Sequence, residues 1–165
     1  MAKRFGRLNV VAHPHPEGVY HNIFQIAASM KRGVRFYSER FAAISPLSEI
    51  RDSVFTARLA TWVEIDTREN AIDISTLEEQ LFEESGVVIP DGVGLNSRIF
   101  NFSFNVETHS LFIETENDEG QRLSTNLARK AFIKIFEAAD TPFLDELEVF
   151  VATRSDAVSE VLSIP

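Results

Sequence analysis

Three of the four histidines, His13, His15 and His21, fall within nine residues in "AHPHPEGVYHNIF" (12–24), punctuated by Pro14 and Pro16. Near neutral pH a neutral imidazole takes a proton and an imidazolium gives one back, so clustered histidines suit acid–base work or metal binding. A residue before proline is pushed toward extended backbone. His13 and His15 both precede proline, and at this spacing in an extended segment they project to the same side. His21 falls about one turn into the helix that follows and can approach them. These three are the candidate catalytic residues. A metal site would need further ligands, for which Glu17, Glu107 and His109 are the candidates, but no H-E-x-x-H motif is present. No Ser, His and Asp pattern stands out either, and neither a metal nor a cofactor is expected. The competing explanation needs no chemistry: two prolines stiffen a strand-to-helix junction.

The elements that would position this cluster follow from hydrophobic periodicity. "RLNVVA" (7–12) alternates as a first strand. Pro16 at a first helical position and Glu17 in the first turn predict a helix carrying Val19, Ile23, Ile26, Ala27 and Met30 on one face, stopped at Gly33. A second strand is expected over 34–44 and a long, bent or bulged one over 54–65. Ser75-x-x-Glu78 has the form of a capping box and predicts a short acidic helix over 75–84. "SGVVIPDGVGLN" (85–96) reads as a loop. "SRIFNFSFNV" (97–106) and "SLFIET" (110–115) predict a hairpin turning near Glu107–His109. Ser124 caps a helix whose apolar face holds Leu127, Ala131, Ile135 and Ala138, flanked by Phe132. A strand over 146–153 and the start of a further helix in "SDAVSEVLSIP" end the chain. This order predicts one α+β domain over 1–165, an elaborated ferredoxin-like, mostly antiparallel sheet with two main helices packed on one face. The end at Pro165, just into a helical pattern, fits a short natural tail or the N-terminal domain of a longer chain.

Composition limits what such a domain does. At 165 residues and 44% hydrophobic content the chain can bury one real core. The 14 phenylalanines against two tyrosines and one tryptophan are expected to be core filler, since Phe has no polar handle. A net charge of −9 disfavours a general nucleic-acid surface, which needs clustered Lys and Arg. The basic clusters are Lys3, Arg4 and Arg7, then Lys31, Arg32 and Arg35. The acidity is concentrated in 64–84 and 114–119, as solvated loops or helix faces. Absence of cysteine removes disulfides, thiolate metal sites and a cysteine nucleophile. No apolar run approaches a membrane span, so a cytoplasmic location is expected.

Other segments carry weaker signals. In "RIFNFSFNV" the Phe100, Phe102, Phe104 and Val106 face is expected to be core, although alternating aromatics after arginine also suit stacking on RNA bases. Its Asn101, Ser103 and Asn105 face would then look to solvent or a partner. Arg40, Arg51 and Arg58, interleaved with Glu39, Glu49 and Asp52, read as solvated ion pairs. "PDGVGLN" and "NDEGQRLS" match neither standard phosphate-binding loop and read as turns.

"HPHPEGVYHNIF", "WVEID" and "FNFSFNVETHSLFIETENDEGQRLS" together resemble an uncharacterised bacterial domain-of-unknown-function family, over nearly the whole chain. The resemblance implies a bacterial or mobile-element origin near phage-defence loci and supplies no catalytic residue. The leading expectation is a small accessory or protein–protein interaction module of a bacterial antiviral defence system. Such a module would work with a protein partner or a homo-oligomer, through a sheet face and an acidic surface. The rivals are a nuclease using His13, His15 and His21, and a single-stranded RNA-binding domain using Phe100 and Phe102.

Overall fold

The computed structural model describes residues 3–141 and 144–152. Ten strands and two α-helices follow the order β1 (Arg4–Ala12), α1 (Val19–Ser29), β2 (Val34–Tyr37), β3 (Arg40–Ile44), β4 (Ser48–Arg51), β5 (Val54–Val63), β6 (Asn70–Asp73), β7 (Glu78–Leu81), β8 (Leu95–Asn105), β9 (Ser110–Glu116), α2 (Thr125–Ala139) and β10 (Leu147–Val151). The helix expected in "SDAVSEVLSIP" lies outside the described residues.

Eight strands form one sheet in the order β10-β1-β9-β8-β5-β3-β2, with β4 also on β5. The fold is α+β, and both helices cover the same sheet face, as the pattern predicts. Every described pairing is antiparallel, as expected, but the ferredoxin-like detail is not met: the sheet is larger and curls into a half-barrel. The curl has local causes. On β5, Val54–Thr56 pair with β4 and Leu59–Val63 with β3, so one interrupted partner strand flanks it. The interruption falls at Pro46, which has no N–H for a ladder. Ser45 bridges the gap, its amide donating to the Arg58 carbonyl and its hydroxyl accepting the Arg58 amide, both at 2.9 Å.

The 34–44 segment is two strands rather than one, because the chain reverses at Ser38, whose φ is 47°. The helix expected over 75–84 is a hairpin instead. The Asp73 carboxylate accepts the Ser75 amide at 2.8 Å and the Thr76 amide at 3.3 Å, so the side chain closes a turn that competes with helix. β6 and β7 stand apart from the main sheet.

Alternation places Leu8, Val10, Phe55, Leu59, Phe100, Phe102, Phe104, Leu111 and Ile113 under the helices, all buried. Phe24 of α1 lies at the centre, with ring centroids 4.9 Å from Phe104, 5.1 Å from Phe55 and 5.2 Å from Phe136. Full burial of each such ring stabilises by roughly 1.5–3 kcal/mol. Ser124 caps α2 as expected, accepting the Leu127 amide. The buried face of α2 is Ala128, Ala131, Phe132, Ile135 and Phe136, turned slightly from the expected one. No described helix is long and apolar enough to cross a membrane.

Candidate functional site

The chain leaves β1 through His13-Pro14-His15-Pro16, and α1 begins only at Val19, after Gly18 in the left-handed region. Pro16 and Glu17 therefore precede the helix; the Pro16 carbonyl accepts the Val19 amide at 3.1 Å as part of a turn. The His13–Pro14 peptide is cis. The His13 amide donates to the Glu146 carbonyl at 3.2 Å, and the Val10 amide donates to the His109 carbonyl at 3.0 Å. These two bonds tie the proline segment to the approach of β10 and to the β8–β9 turn. In that turn the Asn105 side-chain oxygen accepts the Glu107 and Thr108 amides, and His109 takes a left-handed φ of 56°.

The result is a stack of rings. His13 and His15 lie 5.2 Å apart between centroids, and His15 and His109 lie 4.9 Å apart at 22° between planes. Tyr20 closes the group from α1, with its ring 4.9 Å from His109. The Tyr20 hydroxyl accepts the Ala12 amide at 3.0 Å and lies 2.7 Å from His15 Nδ1. A hydroxyl donates one hydrogen bond and can accept two, so this oxygen donates to His15 Nδ1 or accepts from it according to the His15 tautomer.

Electrostatics divides the roles. Burial pushes the Tyr20 phenol above its ordinary pKa, opposed by the Ala12 amide, so it stays protonated at neutral pH. Burial, then the charges that His15 and His13 can carry, pull His109 below the usual histidine value. His13 and His15 are exposed. The site thus combines a neutral, half-buried imidazole, two imidazoles open to solvent and one fixed phenol.

Of the expected catalytic residues, the structure brings His13 and His15 together and leaves His21 apart. Adjacent helical positions diverge by about 100°, and Tyr20 takes the direction facing the cluster. His21 Nε2 is 3.1 Å from Glu49 Oε1, and its ring meets Phe55 edge-on. It opens into a separate cleft of about 440 Å³ with Gln25 and Leu47. Among the described residues no group of three or more His, Cys, Asp or Glu is arranged to hold a metal ion.

The sheet face opposite the helices holds a second polar centre. The β8–β9 ladder runs from Asn105–Ser110 to Phe102–Ile113; past it, the Glu114 side chain bridges the strands. One oxygen accepts the Asn101 amide at 2.8 Å and Asn101 Nδ2 at 3.0 Å, and the other pairs with Lys3 at 2.8 Å. Burial pushes this carboxyl up, but the Lys3 and Asn101 bonds outweigh it and hold the pKa below its ordinary value. Glu114 floors a cavity of about 670 Å³ whose walls include Arg58, Ser103 and Phe5. Nothing in the alternation of 110–115 singles out Glu114. Phe100 and Phe102 are buried beneath the helices, so they cannot stack on RNA bases.

Residues 3–165 match the profile of DUF4747, a domain of unknown function. The chain belongs to that family. Comparison with curated proteins and with solved structures finds no match. In this DUF4747 member the ring cluster sits where β1, the β8–β9 turn and α1 meet.

Proposed function

We propose that the His13–His15–His109 cluster is an acid–base centre that cleaves a phosphodiester of RNA or DNA without a metal ion. The observation that carries this is the grouping of three imidazoles, with His15 beside both His13 and His109 and hydrogen-bonded to the Tyr20 hydroxyl. His109, held neutral, accepts the proton of the attacking hydroxyl or water as its oxygen bonds to phosphorus. As the phosphorus–oxygen bond to the leaving group breaks, a protonated His13 or His15 delivers a proton to the departing oxygen. Proton transfer of this kind contributes typically about 10²–10⁴-fold. Tyr20 is a positioning residue, since it acts through His15. In a bacterial antiviral setting such an activity would act on invading nucleic acid or on host transcripts.

The test is cleavage of end-labelled single-stranded RNA and DNA with EDTA present. Wild-type protein and the His21→Ala variant should cut, while His15→Ala and His109→Ala should lose at least about 10²-fold in rate. Intact substrates after incubation with wild-type protein would overturn the proposal.

A further inference from the structure

The segment that runs from the end of β5 through the β6–β7 arm, the 3-10 turn Phe82–Ser85 and the loop after it carries almost all of the net charge. Residues 64–91 hold nine acidic side chains and one basic one, Arg68, against a whole-chain charge of −9. The same arm exposes large aliphatic side chains. Ile74 is 85% exposed, Leu77 74% and Val88 86%, and Ile72 and Leu81 are more than half exposed. The hairpin register sets Ile72 beside Glu79 and Asn70 beside Leu81, so one outward face mixes apolar and acidic groups. Singly exposed aliphatics are ordinary, but this many on one small hairpin mark an interaction surface.

We infer that the β6–β7 arm is a docking surface for a protein partner whose own surface is basic and carries an apolar cleft. Charge selects this occupant. Two arms facing one another would set like charges together, which costs energy and rules against an arm-to-arm dimer. Nucleic acid and anionic membranes are repelled for the same reason. A cationic surface is drawn in by the carboxylates and held by the aliphatics, so the acids govern the association rate and the salt dependence, and the aliphatics govern dissociation.

The test uses defined probes on the whole chain: a synthetic amphipathic Lys/Leu peptide and oligolysine of equal charge, each titrated at low and high salt. Three exposed substitutions, Ile72→Thr/Ile74→Thr/Leu81→Thr, remove apolar surface while keeping a residue suited to strands at the two strand positions, Ile72 and Leu81. Wild-type protein should bind the amphipathic peptide more tightly than oligolysine. The triple variant should weaken amphipathic binding by about tenfold or more and leave oligolysine unchanged. A second variant, Glu78→Gln/Glu79→Gln/Glu83→Gln/Glu84→Gln, should flatten the salt dependence for both probes. Equal affinity for the two probes would overturn the inference, as would amphipathic binding that neither variant changes.

Discussion

The Tyr20 hydroxyl lies 2.7 Å from His15 Nδ1 and at the same time accepts the Ala12 amide. One oxygen therefore both closes the end of β1 and holds the ring of an exposed histidine. Tyr20→Phe keeps the ring and strands a buried amide, which costs about 1–3 kcal/mol. Urea unfolding should read that loss. Long-range ¹⁵N–¹H correlation should show the balance of His15 tautomers change in the variant, because the bond to Nδ1 is lost.

His109 is the histidine with a depressed pKa, by burial first and then by His15 and His13. An NMR pH titration should give it a midpoint below 6.5, the unperturbed value. Replacing His15 with Gln removes one repelling charge, so the midpoint should rise. The stability consequence follows from proton binding: above the unfolded value both states are neutral at this site, and below it the unfolded chain protonates first. The contribution of His109 is thus complete above about pH 6.5 and is lost as pH falls through its folded midpoint. A midpoint at or above the unperturbed value would contradict the assignment of His109 as the base.

Glu114 should matter to stability more than any exposed carboxylate. Its removal strands the Asn101 amide and leaves Lys3 without its buried partner, so Glu114→Ala should cost about 2–3 kcal/mol at neutral pH. Its folded pKa is depressed, so its contribution is present above the ordinary value of 4.5 and lost as pH falls through the folded value. In Glu114→Gln that part of the acid sensitivity should disappear, as chemical denaturation across this range would show.

The indole of Trp62 is clasped between the backbones of Gly33 and Gly94, since a Cβ at either position would overlap the ring. Gly94→Ala should destabilise by about 1–3 kcal/mol through overpacking. Trp62 is the single tryptophan of the chain, so its emission reports the clasp directly. Shrinking the ring with Trp62→Leu should remove most of the added cost of Gly94→Ala, a coupling that a double-mutant cycle measures.

The sequence made some of these features visible and hid others for physical reasons. β1, β5, β8 and β9 were readable because one face of each is buried, which imposes a strict alternation, and α2 announced itself through Ser124. β4 was not readable, because all four of its residues are exposed and no alternation results. The capping-box pattern at Ser75 misled because it counts only spacing, whereas Asp73 reaches the turn amides first. In the candidate site the His13–His15 pair was legible from the two prolines. His109 was legible only as one of three candidate further ligands, because its approach depends on the pairing of β1 with β9, and that pairing is long-range. His21 was misplaced by treating a helix as a point rather than as a surface with directions.

The arm that stands off the main sheet also changes what the isoelectric point of about 4.9 describes. Outside residues 64–91 the chain has 15 cationic and 16 anionic side chains, so the low value belongs to one limb. On an anion-exchange resin the molecule would be held by that limb, with its nearly neutral body left facing the buffer. A chain with the limb excised would elute close to the void, and its solubility minimum would move from acid toward neutrality.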